Sequence, residues 1–280
     1  MSLSYTLRKK DKGQEVKRLQ NTLSITTDGI FGSKTEKAVK EYQEEKGLVV
    51  DGLAGRRTLG SLEIEVFPAV DLSSYNGTVD FKKMKAAGVS HAWIKLTEGT
   101  THRNPGYQLK FDSARKEGFS CGAYHFGRPD TYAGDPRDWE KEANNFLLQL
   151  EKAELKPGDL VPVLDVEKGM KTDDNHNVQW CLNWLEWVGN ETCTTPLVYS
   201  ARWAWQLYIM KAEKDIQQEL AKYPLWLASY NKGVEPKRKT KLWDTWAVWQ
   251  YTGYGKIDGC KGRVDLNWIA GNQLENLIIK

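Results

Sequence analysis

The spacing of apolar residues changes near residue 63. Before that point they recur at helical intervals: Val16, Leu19 and Leu23 share one face of a short helix, and Val39 and Tyr42 share the matching face of a second. These helices belong to a repeat. Val16-Lys17-Arg18-Leu19-Gln20 returns 23 residues later as Val39-Lys40-Glu41-Tyr42-Gln43, and Asp28-Gly29-Ile30-Phe31-Gly32-Ser33-Lys34-Thr35 returns at the same offset as Asp51-Gly52-Leu53-Ala54-Gly55-Arg56-Arg57-Thr58. In each D-G-x-x-G turn the glycines permit positive φ and the Thr opens the next helix. Residues 1–62 are expected to form a small all-α repeat domain.

From 63 to 280, short apolar runs alternate with helical patterns, as βα units on a parallel sheet do. Strands are expected from Phe67 to Leu72, His91 to Thr97, Ser120 to Phe126, Leu160 to Glu167, Pro196 to Ser200, Leu225 to Tyr230, Trp246 to Tyr251 and Arg263 to Asn267. Eight strands suggest a closed barrel. Helical patterns fill the first five gaps: around Phe81 and Met84, from Pro105 to Gly118, through Trp139, Ala143, Phe146 and Leu150, through Val178, Cys181 and Leu185, and from Trp203 to Tyr223. Asn231 to Thr245 reads as a basic loop, and Gly253 to Gly262 as a glycine-rich turn between hairpin-like strands. The expected fold class is α/β, an irregular TIM-like barrel of five βα units plus three strands.

Composition separates the two parts further. All twelve Trp lie from Trp93 onward, whereas residues 1–62 hold 12 Lys and Arg against 8 Asp and Glu. That excess favours an acidic polymer but is too small to suggest nucleic acid, and no basic stripe with interleaved aromatics appears. Cys121, Cys181, Cys193 and Cys260 make neither a disulfide framework nor a C-x-x-C zinc pair, so free thiols and no cofactor are expected. No signal-peptide core opens the chain and no apolar run reaches the ~18 residues of a membrane span. Synthesis in the cytoplasm, release by some other agent if the chain works elsewhere, no stable membrane insertion and a monomeric state are the expectations.

Chemistry concentrates on Leu160-Val161-Pro162-Val163-Leu164-Asp165-Val166-Glu167. Strand alternation puts Val161, Val163, Asp165 and Glu167 on one face, with the two carboxylates leaving the backbone about 6.6 Å apart. Like charges that close cannot both ionise freely, and an apolar wall would raise one pKa, so one carboxyl can serve as acid while the other stabilises positive charge. Other acids fall at strand ends: Asp71 near the end of the first, Glu98 after the second, and Asp265 at the end of the last. In a closed barrel the first and last strands are neighbours, so Asp71 and Asp265 can meet across the seam. Lys95, Tyr124, His125, Tyr199, Trp226, Tyr230, Trp249 and Tyr251 are expected at the same rim. Aromatic faces and carboxylates together suit a carbohydrate.

Ala69-Val70-Asp71-Leu72-Ser73-Ser74-Tyr75-Asn76-Gly77, Lys95-Leu96-Thr97-Glu98-Gly99, Gly122-Ala123-Tyr124-His125-Phe126, Asp165-Val166-Glu167 and Val264-Asp265-Leu266-Asn267 occur in the order found in glycoside hydrolase family 25. The stretch from Phe67 to Ala270 resembles those barrel-type lysozymes. Tyr5 to Leu62 resembles the helical peptidoglycan-binding-type domain of cell-wall hydrolases, and the whole chain looks like a modular phage endolysin. The resemblance implies hydrolysis of the β-1,4 bond between N-acetylmuramic acid and N-acetylglucosamine in bacterial peptidoglycan. It makes Glu167 the general acid, Asp165 its electrostatic partner, Asp71 and Asp265 modulators of charge, and Tyr124 a sugar-site residue.

Rival readings are weaker. A chitinase-like barrel would carry D-x-x-D-x-D-x-E, but Leu160 and Val163 stand at its earlier acidic positions, and His91, His102, His125 and His176 lack the spacing of a zinc amidase or peptidase. A non-catalytic glycan-binding barrel would be expected to have lost Asp165 or Glu167. Two carboxylates at alternate strand positions fit retention or inversion, and an N-acetyl substrate could supply its own nucleophile. Substrate-assisted retention is the expectation.

Overall fold

The computed structural model describes residues 5–129, 135, 137–167, 174–230 and 242–280. The repeat forms α1 (Gln14–Thr22), α2 (Ser33–Glu45) and α3 (Arg56–Ser61). Val16, Leu19, Phe31, Val39 and Ala54 are fully buried between them. Each unit closes on a buried glutamine. Gln20 Nε2 donates to Asp28 Oδ1 (2.7 Å), Ile30 O (3.0 Å) and Thr35 Oγ1 (3.0 Å), while its Oε1 accepts from Gly29 N (2.7 Å). Gln43 repeats this with Asp51 (2.9 Å), Leu53 (3.0 Å), Thr58 (3.1 Å) and Gly52 (2.9 Å). The buried amides are thereby satisfied, which explains why Gln, Asp, Gly and Thr all recur at one offset. Gly29 and Gly52 sit at φ +72° and +74°, pressed against the stems of Lys17 and Lys40.

The remainder closes into a barrel. Its strands are β1 (Val66–Leu72), β2 (His91–Glu98), β4 (Ser120–Phe126), β5 (Val163–Asp165), β6 (Leu197–Ala201), β7 (Leu225–Ala228), β8 (Val248–Gly255) and β9 (Val264–Ala270), with a two-residue β3 (His102–Arg103) added outside β2. Around the barrel, pairing is parallel from β1 through β8, then antiparallel for β8 with β9 and β9 with β1, while the added β3 pairs antiparallel with β2. Around it lie α4 (Phe81–Ala86), α5 (Tyr107–Lys116), α6 (Asp138–Ala153), α7 (Asp174–Thr192), α8 (Arg202–Tyr208), α9 (Lys214–Leu220) and α10 (Gly271–Leu277).

Three expectations needed correction. β5 is shorter than the run from Leu160 to Glu167: Pro162 has no N–H for a ladder, and although Leu160 N still donates to Cys121 O of β4 (2.9 Å), Leu160 also bridges to Ile278 and Val161 N donates to Leu277 O (2.9 Å) near the C-terminus. Leu160 also packs into the same interior cluster as Val161, so strict alternation holds only nearer the acids. The helix expected from Trp203 to Tyr223 is two helices. Asp174 Oδ2 accepts from Lys211 N (2.9 Å), Asn175 Oδ1 from Glu213 N (2.7 Å), and Gln217 Nε2 donates to Ala212 O (2.6 Å), capturing backbone groups that a continuous helix would use. α10 had no sequence expectation. The basic loop expected from Asn231 to Thr245 lies outside the described residues through 241, and the four cysteines are free thiols.

The barrel interior is filled below the site. Trp93 and Trp226 pack with ring centroids 4.7 Å apart, and the Trp93 indole donates to Val161 O at 3.2 Å. Gly122 makes room for this floor, since a Cβ there would lie 2.5 Å from Trp93 and 2.9 Å from Leu160. Leu72, Ile94, Leu96, Leu164, Val166 and Val198 face outward into the larger core shared with the helices. The repeat contacts the barrel wall where Tyr5 meets the edge of Trp268, 5.4 Å between centroids.

Candidate active site

Above the tryptophan floor, the carboxyl ends of the parallel strands and the amino end of β9 enclose a cavity of about 310 Å³. Parity decides what enters it. Asp71 comes from β1, Lys95 from β2, Tyr124 and Phe126 from β4, Val163, Asp165 and Glu167 from β5 and its extension, Tyr199 from β6, Trp226 from β7 with Tyr230 beyond it, Gln250 from β8 and Asp265 from β9. All four expected catalytic carboxylates line this one space, and Asp71 lies directly opposite Asp265 in the β1–β9 register. A larger cavity of about 750 Å³ lies at the amino ends of the strands beside Pro224 and Trp243, without a comparable set of buried carboxylates among its described lining.

The same parity removes three expected rim residues. His125 points outward, fully buried, with Nδ1 2.7 Å from Thr97 Oγ1, Nε2 2.8 Å from Glu142 Oε2, and its ring stacked on Trp184. It ties β4 to β2 and α6. Trp249 and Tyr251 also face outward; the Trp249 indole donates to Ser229 O at 2.9 Å and Tyr251 stacks on Trp268. Adjacent strand residues cannot share a face, so His125 could not join Tyr124, nor Trp249 join Gln250. Glu98 stands one step back, pairing with Lys95 Nζ (2.5 Å) and with Arg128. Burial opposes its ionisation, but those two cations hold its pKa below the usual carboxylate range.

Two uncharged residues escaped the sequence reading as site residues. Asp71 Oδ2 accepts from Asn267 Nδ2 (2.8 Å) and Gln250 Nε2 (2.9 Å). Gln250 Oε1 in turn accepts from the hydroxyls of Tyr199 (3.0 Å) and Tyr230 (2.6 Å), and Asn267 Oδ1 accepts from the Trp226 indole (2.9 Å). Asn267 stood in the Asp265 motif, two residues on and so on the same face; that was the available signal.

Electrostatics follow from burial and crowding. Burial raises Asp165 well above the carboxylate range, the Glu167 charge adds to it, and Lys95 partly offsets both. Asp165 Oδ1 is buried and has no hydrogen-bond partner among the described residues. Burial, then the Asp71 charge, pushes Asp265 up to about 8. Asp71 is raised by burial while its Asn267, Gln250 and Asp265 hydrogen bonds pull it back. Each pair of acids can thus hold one proton where two exposed carboxylates would hold none.

Comparison with known proteins agrees with this geometry. Residues 70–260 match glycosyl hydrolases family 25, and residues 12–62 match the putative peptidoglycan binding domain. Lysozyme M1 of Streptomyces globisporus is 27% identical, with 77% of this chain and 72% of that one aligned. The spore cortex lytic enzyme SleM of Clostridium perfringens superposes with a TM-score of 0.64 at 26% identity, covering 76% of this chain and 69% of that one. The CTP1L endolysin gives 0.62 at 26% identity, with coverages of 75% and 68%. With more than half its length matched, and an acid-lined barrel mouth where that match lies, the chain belongs to glycosyl hydrolases family 25.

Proposed function

We propose that the protein is an endolysin-type N-acetylmuramidase that hydrolyses the β-1,4 bond between N-acetylmuramic acid and N-acetylglucosamine in bacterial peptidoglycan. The observation that carries this reading is the convergence of Asp71, Asp165, Glu167 and Asp265 on one aromatic-walled cavity. The family supports glycoside hydrolysis, the N-terminal match supports a wall polymer as substrate, and the likeness to an endolysin supports the lytic role.

Glu167 delivers a proton to the leaving glycosidic oxygen as positive charge builds at the anomeric carbon. The Asp165–Glu167 pair holds that proton between them; burial and the Glu167 charge raise Asp165, and Lys95, by partly offsetting both, lessens the cost of the form with Asp165 ionised. Asp165 Oδ1, free of a partner among the described residues, suits the N–H of the substrate's N-acetyl group. The acetyl oxygen then attacks the anomeric carbon, and water opens the resulting ring with Glu167 acting as base. Retention follows. NMR of the first product should show the β-anomer; an initial α-anomer would exclude this route.

The repeat serves wall attachment. Removing residues 1–62 is expected to lower binding to insoluble walls severalfold while sparing turnover of soluble glycan fragments, measured by pull-down and reducing-end assay. Equal wall binding by both forms would sink the role given to the repeat.

A further inference from the structure

The proton on the Asp71–Asp265 pair can be placed by following donors. The Trp226 indole can only donate, so the atom 2.9 Å from it is the Asn267 oxygen. The other end of that amide, an NH₂, therefore faces Asp71 Oδ2 at 2.8 Å. Asp71 Oδ2 is thus an acceptor, and Gln250 completes the arrangement by donating to the same oxygen at 2.9 Å. With its NH₂ turned to that accepting oxygen, Gln250 presents its own oxygen to two phenol hydroxyls, Tyr199 at 3.0 Å and Tyr230 at 2.6 Å, each of which can donate to it. Asn267 and Gln250 are 0% and 2% exposed, so water does not compete for these groups. Asp265 hydrogen-bonds Asp71 from across the seam and has no such pair of amide donors among the described residues.

We propose that Gln250 is a positioning residue of the hydrolytic reaction: it holds Asp71 as the ionised, accepting member of its pair, which keeps the pair's proton on Asp265 and limits the pair to one negative charge beside the reacting sugar. The proposal rests on the muramidase reading for its consequence in catalysis, though the placement of the proton does not. Among the described residues, the charged and titratable groups facing this network are Tyr75 just after β1, Lys95 from β2, Tyr124 from β4, Asp165 and Glu167 from β5 and its extension, Tyr199 from β6 and Tyr230 beyond β7. The phenols of Tyr124, Tyr199 and Tyr230 are raised by burial and then by neighbouring carboxylates, so they stay neutral through the working range. Lys95 is committed to Glu98.

Two substitutions separate the donor from the rest of the side chain. Gln250→Glu keeps the volume and an acceptor for both phenols but, when ionised, turns an oxygen towards Asp71. Gln250→Met removes donor and acceptor together. Carbon-13 NMR of carboxyl-labelled aspartate should show Asp265 titrating near pH 8 in the wild type, with Asp71 below it. In both variants the Asp71 titration should move up by about one pH unit or more, because a lost hydrogen bond to the charged form raises a carboxyl pKa. The acid limb of kcat should follow it upward, with kcat near pH 6 down about tenfold and KM within about twofold. An unmoved Asp71 titration in both variants would overturn the proposal, as would a loss of kcat equal at every pH. If the wild type does not cleave wall glycan, the muramidase reading fails, while the NMR titration still decides where the proton sits.

Discussion

Glu167→Gln is expected to fold like the wild type and to lose at least ~100-fold in clearing of permeabilised cells, the usual scale for removing a general acid. The substitution keeps side-chain volume at a half-buried rim position and removes the transferable proton. It also removes the charge that, after burial, does most to raise Asp165. Asp165 should therefore ionise more readily in the variant, so the lost rate cannot be assigned to a neutralised Asp165. Turbidity decay with matched protein concentrations and circular dichroism spectra checks it. Equal clearing by both proteins would take Glu167 out of the mechanism.

Asp165→Asn should separate activity from stability. Activity is expected to fall by about 100-fold or more, because the charge facing the positive centre is lost. Stability at pH 7 should rise by roughly 1–3 kcal/mol. The sign follows from burial: Asp165 is raised above its unfolded value, so the folded protein holds that proton more tightly than the unfolded chain. Its stabilising contribution is full below the unfolded pKa and is lost as pH rises through the folded one. Thermal unfolding at pH 4 and pH 7 should then give similar midpoints at the lower pH and a higher midpoint for the variant at the upper one. A variant less stable at pH 7 would mean that the Asp165 charge is well solvated in the fold.

The order of strands, the closing seam and the repeat were legible because each leaves a periodic mark. The offset of 23 residues set the two Gln-centred turns side by side, and the alternation of Asp165 with Glu167 put both into one cavity. Parity was less legible where a strand is apolar or aromatic on both faces, as strands enclosed by helices are. Tyr124 and His125 carry no polar–apolar contrast that tells inside from outside; only the register does. Trp249 and Gln250 do differ in polarity, but here the amide turns into the barrel and the indole into the outer core, the reverse of the usual sense. Gln250 and Asn267 were passed over because an amide has no chemistry of its own to advertise. Their importance appears once Trp226 is seen to fix the Asn267 amide and Asp71 Oδ2 to take the NH₂ of both. The division of the helix after Trp203 depends on Asp174 and Asn175, some thirty residues earlier, which no local pattern shows.

Mass spectrometry of peptidoglycan digested by the full chain and then reduced with borohydride tests the central claim most directly. Fragments ending in reduced N-acetylmuramic acid, with stem peptides still attached, are the expected result. Fragments ending in reduced N-acetylglucosamine, or stem peptides freed from intact glycan, would contradict it.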